Sequence, residues 1–96
     1  MLNLDAARVV AERYLDPIRQ SGLDVVIDEQ STLELSFGWV FFWNGRAFLE
    51  ADDRDSMLVG NAPLIVDRAT GELHETGTAH PIEHYIREYE ARRQVS

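Results

Sequence analysis

The chain has 96 residues, 45% of them hydrophobic, and no cysteine. That length fits one domain over residues 1–96 with a modest core burying roughly 60–70% of the unfolded surface, and the cysteine count excludes disulfides, thiolate metal ligation and a thiol nucleophile. Nine basic residues, all arginine, stand against seventeen acidic ones for a net charge of −8. This balance argues against nucleic acid as a partner, because such binding rests on neutralising phosphates, and it favours association with a basic protein. The N-terminus has no basic stretch followed by an apolar run, and the apolar run Trp39–Trp43 is too short to span a bilayer. The expectation is a cytoplasmic protein with no membrane partner.

Leu4, Ala7, Ala11, Tyr14, Leu15 and Ile18 recur at helical spacing, which predicts an amphipathic helix over residues 4 to 16. Asn3 can cap it, Asp5 suits its first turn, and Pro17 should end or kink it at Asp16. Leu23–Asp28 reads as a first strand. Leu33, Leu35, Phe37, Trp39, Phe41 and Trp43 alternate along one side of a longer second strand. Asn44-Gly45 suits a type I′ turn, which sends Arg46–Glu50 back as an antiparallel strand. A charged loop follows, then a short apolar anchor at Met57–Val59. Leu64–Asp67 and Glu72–Thr76 form a second hairpin around a turn in which Gly71 takes the left-handed position. Pro81 opens a C-terminal helix with Ile82, Tyr85, Ile86 and Tyr89 on one face. The predicted order is α-β-β-β-β-β-α: an α+β domain, an antiparallel meander of four to five strands with the N-terminal helix packed across it.

Candidate chemistry is sparse. His80 and His84 are four apart, but Pro81 between them turns His80 away from the helix face, so no metal site and no cofactor are expected. No serine or threonine sits in a nucleophile elbow. Asp67 and Glu72 could be read as a carboxylate pair, although an Asp in a hairpin turn more commonly accepts backbone amides. An enzyme is therefore not expected. Two features suit partner binding: the large rings of Trp39 and Trp43, which also suit a core, and the acidic cluster Glu50, Asp52, Asp53 and Asp55, which also suits a solvated loop. Asp24, Asp28 and Glu29 would extend that cluster if the first strand lay beside it.

The Asp5-Ala6-Ala7 helix start, Gly38-Trp39-Val40-Phe41, Phe48-Leu49-Glu50 and the block from Gly60 to Glu83 together resemble the YrhB-like proteins, grouped with the immunity protein 35 domain of bacterial polymorphic toxin systems. The resemblance spans nearly the whole chain. It implies a small non-catalytic bacterial protein that binds and neutralises a cognate toxin. A cystatin-like arrangement of the helix, the Gly38-Trp39 strand and the second hairpin would suit a peptidase as that toxin, and the acidic charge would suit a basic nuclease equally well. A chaperone-like protein that holds unfolded clients is the alternative, and a homodimer is a further partner to test. Trp39, Gly60, Asn61, Pro63, Asp67 and Gly71 carry over as motif positions, with Pro81 in the same block, and their expected roles are structural.

Overall fold

The computed structural model describes residues 1–95, with side chains through Arg93. Helix α1 spans Leu4–Gln20. Its first turn is closed by Asn3, whose Oδ1 accepts the Ala6 amide at 2.9 Å, as expected of a cap. Ala7, Ala11 and Leu15 form its fully buried line. Pro17 does not end the helix. A proline there removes one amide donor and crowds the carbonyl four residues back, yet the helix runs on, with Arg19 bracing this stretch by reaching Glu12 at 2.7 Å, Asp16 at 3.1 Å and the Val25 carbonyl at 2.9 Å.

Among the described residues, six strands form two antiparallel sheets. The larger runs β2 (Leu33–Leu35), β3 (Gly38–Phe41), β5 (Leu64–Asp67) and β6 (Leu73–Glu75), in that order. The smaller pairs β1 (Val25–Ile27) with β4 (Trp43–Gly45). The α+β class and the flanking helices match the sequence reading; the middle of the chain does not. The expected long strand turns back at Ser36-Phe37, so β2 pairs with β3 as a hairpin, Leu35 opposite Gly38. Gly38 makes this possible: a Cβ there would lie 2.1 Å from the Val66 carbonyl oxygen of β5. The turn also moves Phe37 to the opposite face from Trp39, Phe41 and Trp43.

Asn44-Gly45 is not a turn either. Both residues lie in β4 opposite Val26 and Val25. The side chain of Asn44 binds the Leu58 backbone in both directions, accepting its amide at 2.7 Å and donating to its carbonyl at 3.2 Å. Gly45 lets the chain pass Ser56, whose carbonyl oxygen would sit 2.3 Å from an added Cβ. The expected return strand is instead a short helix, α2 (Arg46–Ala51), ending at Asp52 in the left-handed region with φ 54°. The sequence Arg-Ala-Phe-Leu-Glu-Ala is rich in helix formers, and β4 takes β1 as its antiparallel partner instead. The β5–β6 hairpin follows the expectation, with Gly71 at φ 75°.

The larger sheet has a core on each face. On one, α1 covers Trp39, Phe41, Leu64 and Val66 together with Val25, Ile27 and Trp43 of the smaller sheet. On the other, Tyr89, Ile82 and Ile86 of α3 (Ile82–Val95) pack on Phe37, Val40 and Ile65.

Candidate interaction surface

At Phe42 the chain leaves the larger sheet for the smaller one, and the Phe42 carbonyl accepts the Asp28 amide at 2.7 Å. The change of direction opens a groove of about 630 Å³. Phe42 and Pro63 contribute to its lining. Phe48 and Leu49 line it from α2, Leu33 and Thr32 from the segment leading into β2, and Ile82 and Glu83 from the start of α3. Phe42, Phe48, Leu49, Pro63 and Ile82 are half-buried, Leu33 is exposed and Trp43 is buried; Phe42 and Ile82 also pack against the Phe37, Val40 and Ile65 core. Asp28 sits at the lip, with its Oδ2 accepting the Ser31 hydroxyl at 2.7 Å.

A run of acids continues along the chain from the same helix. Glu50 lies in the last turn of α2, Asp52 follows as its left-handed cap, and Asp53 caps the next turn by accepting the Asp55 amide at 3.1 Å and the Ser56 hydroxyl at 3.1 Å. The pairing of β1 with β4 brings Asp24 to this ridge: Arg46 lies 3.2 Å from Asp24 and 3.4 Å from Glu50. Arg46 thus links two acids, while Asp52, Asp53 and Asp55 are exposed. Asp28 and Glu29 lie at the other end of β1, toward the groove, and Glu29 pairs with Arg8 of α1 at 3.0 Å. The acidic cluster named from sequence is therefore one surface with Asp24, with Asp28 on the groove side.

Trp39 is not among the residues lining the groove, whereas Trp43 is. The two residues are 1% and 8% exposed and belong to the core under α1. The Arg68 guanidinium lies 4.4 Å from the Trp39 ring centre, and Trp43 donates its indole N–H to the Ala62 carbonyl at 2.9 Å. Trp39 is closed off from the surface, while Trp43, nearly buried, is also a lining residue of the groove.

The remaining motif positions hold the frame around the groove. Gly60 adopts φ 79° in the link from α2 to β5. The Asn61 amide donates to the Trp43 carbonyl, and the Pro63 carbonyl accepts both the amide and the hydroxyl of Thr76, at 3.0 and 2.7 Å. Pro81 accepts the His84 amide at 3.0 Å at the head of α3. Asp67 does more than shape its turn. Its Oδ1 accepts the Ala69 and Thr70 amides at 2.8 and 3.3 Å, and its Oδ2 accepts the Tyr89 hydroxyl at 2.6 Å and Arg93 Nε at 2.9 Å. Burial alone would push this carboxyl up, but the bonds from Arg93, Tyr89 and the two amides prevail and hold it well below the usual carboxylate range. Burial, with the adjoining Asp67 carboxylate, pushes the Tyr89 hydroxyl up to about 12. The lock fixes α3, whose first residues wall the groove. It was missed in sequence, although Tyr89 and Arg93 stand one helical turn apart.

The histidines depart from expectation in geometry. His80 is not turned away: its ring lies 4.1 Å from that of His84, centre to centre, and His84 approaches Glu88 at 3.4 Å. Among the described residues no group of three or more His, Cys, Asp or Glu side chains is arranged to hold a metal ion, and no helix is long and apolar enough to cross a membrane.

A family model described as immunity protein 35 matches residues 5–91. Among curated proteins, the chain is similar to the uncharacterized protein YrhB of Escherichia coli (strain K12), with 40% identity over 93 residues that cover 97% of this chain and 94% of the relative. No solved structure matches.

Proposed function

Because the chain belongs to the immunity protein 35 family, we propose that it neutralises a cognate protein toxin by stoichiometric binding, without a catalytic step of its own. The observation that carries this reading is the surface built on α2. One short helix sends Phe48 and Leu49 into an open groove and leads into Glu50, Asp52, Asp53 and Asp55. Half-buried apolar side chains supply contact area that a partner can complete. The acids act at longer range, steering a basic surface into place at low salt. Charge thus favours a toxin whose active-site groove is basic, as a nuclease has, and covering that groove is the proposed mode of inhibition.

Affinity capture with the tagged chain from its host, followed by mass spectrometry and an activity assay of the captured protein, tests the proposal. The expected result is one partner at one-to-one stoichiometry whose activity is lost when the chain is equimolar. A spread of unrelated denatured clients would contradict it and favour a chaperone-like protein. An empty capture would contradict it as well.

A further inference from the structure

The groove has a chemistry specific enough to describe its occupant. Phe42, Phe48, Leu49 and Ile82 give it an apolar lining, and its volume of about 630 Å³ falls in the roughly 300–1,000 Å³ range of sites that enclose a small ligand. Among the described residues its charged lining is Asp28 and Glu83, both acids, with no arginine or histidine. The lining side chains of Asn44 and Asn61 are engaged with backbone groups of the chain itself. An occupant that fills the apolar space therefore lies beside two carboxylates, which favour a cation on it. A second copy of this chain suits the groove poorly, because each copy carries a net charge of −8 and like charges brought together at an interface are costly.

We infer that the groove between α2 and the start of α3 is the docking site for a short partner segment carrying a bulky apolar side chain flanked by arginine or lysine. The inference rests on the toxin-binding reading and adds where the partner enters and what it presents. The apolar side chain fills the space over Phe42 between Phe48 and Ile82. The flanking cations meet Asp28 on one side and Glu83 on the other, where removal from water strengthens each pairing relative to an exposed one.

Two synthetic twelve-residue peptides test this by nuclear magnetic resonance with the isotope-labelled full chain. One carries Arg-Trp-Arg in a glycine–serine context, and the other carries Glu-Trp-Glu in the same context. The first should shift the amides of Thr32, Phe42, Phe48 and Glu83 saturably, and the second should bind about tenfold or more weakly. Phe48→Ala should weaken the first peptide about tenfold. If that variant does not fold, Asp28→Asn, which keeps the shape of the turn, should weaken it at least about threefold. Equal binding of both peptides, shifts confined to other surfaces, or no saturable shift overturns the inference. Shifts of the same amides on concentrating the chain alone would assign the groove to a second copy and overturn it too. The two readings fail separately. A captured toxin that binds the Phe48 or Asp28 variant as tightly as wild type removes the groove assignment and leaves neutralisation standing. Peptide binding without any toxin partner removes neutralisation.

Discussion

The two faces of the larger sheet are held by different physics. Under α1 the contact is apolar and close: Ala7, Ala11 and Leu15 are completely buried against Trp39, Phe41 and their neighbours, and the small alanines let the helix backbone approach the sheet. Under α3 the apolar contact is thinner, with Tyr89 its one buried helix residue among those described, and the helix is fastened by a carboxylate that takes four bonding partners. The first face owes its strength mainly to area removed from water, and its one titrating link is Tyr14 with Glu75, at alkaline pH. The second adds one buried charge to its apolar contact. Since α3 also walls the groove, the state of Asp67 reaches the interaction surface, whereas α1 acts as fixed scaffold.

Trp39→Ala should show the strongest contrast, costing about 3–5 kcal/mol by urea unfolding. A loss below about 1 kcal/mol would mean the α1 face collapses around the gap and is not the rigid side. Asp67→Ala should cost about 2–3 kcal/mol, because it removes the acceptor of a buried hydroxyl and two turn amides. Hydrogen exchange should show α3 loosening ahead of α1 in this variant. Uniform loosening would make the two faces one cooperative unit.

The same contrast should appear on titration. The Asp67 pKa is lower folded than unfolded, so its contribution is present above the unfolded value of about 4 and is lost as pH falls below it. Tyr89 is raised to about 12, so its contribution is full below its unfolded value of about 10 and is lost as pH climbs between the two. Tyr14, which links α1 to Glu75 of β6 and is likewise raised to about 12 by burial and that carboxylate, adds to the alkaline loss. Denaturant midpoints across pH should fall at both ends, and Asp67→Asn should flatten the acid limb. An unchanged acid limb would show that other carboxylates dominate it. The smallest effect on stability is expected from Asp52→Asn with Asp55→Asn, within about 0.5 kcal/mol for exposed positions. These changes should slow association with a captured partner at low salt and leave it unchanged at high salt. Equal rates at low salt would remove the steering role of the ridge.

The ends of the chain were legible because their signals are local. Asn3 caps α1, the 3.6-residue period marks its buried line, Gly71 shapes the β5–β6 turn, and Pro81 opens α3. The middle was not, because its residues answer to distant partners. Unbroken alternation from Leu33 to Trp43 hides a reversal that depends on Gly38 meeting Val66. Asn44-Gly45 carries a strong turn signal, yet Asn44 is used to hold Leu58 and Gly45 to clear Ser56. The acidic ridge was readable as a cluster, but Asp24 joins it only through β1–β4 pairing. The groove was unreadable, since its lining comes from five separated segments and the alternation of Ala47, Phe48 and Leu49 reads as a strand where α2 forms. The rings of Trp39 and Trp43 drew attention by type and went to the core by packing.

The most direct test of the central claim is hydrogen exchange of this chain alone and in complex with its captured toxin. Binding through the surface built on α2 should slow exchange in α2, at Glu29–Ser31 and at the start of α3, with α1 unchanged. Slowing confined to α1, with α2 exchanging as in the free chain, would contradict it.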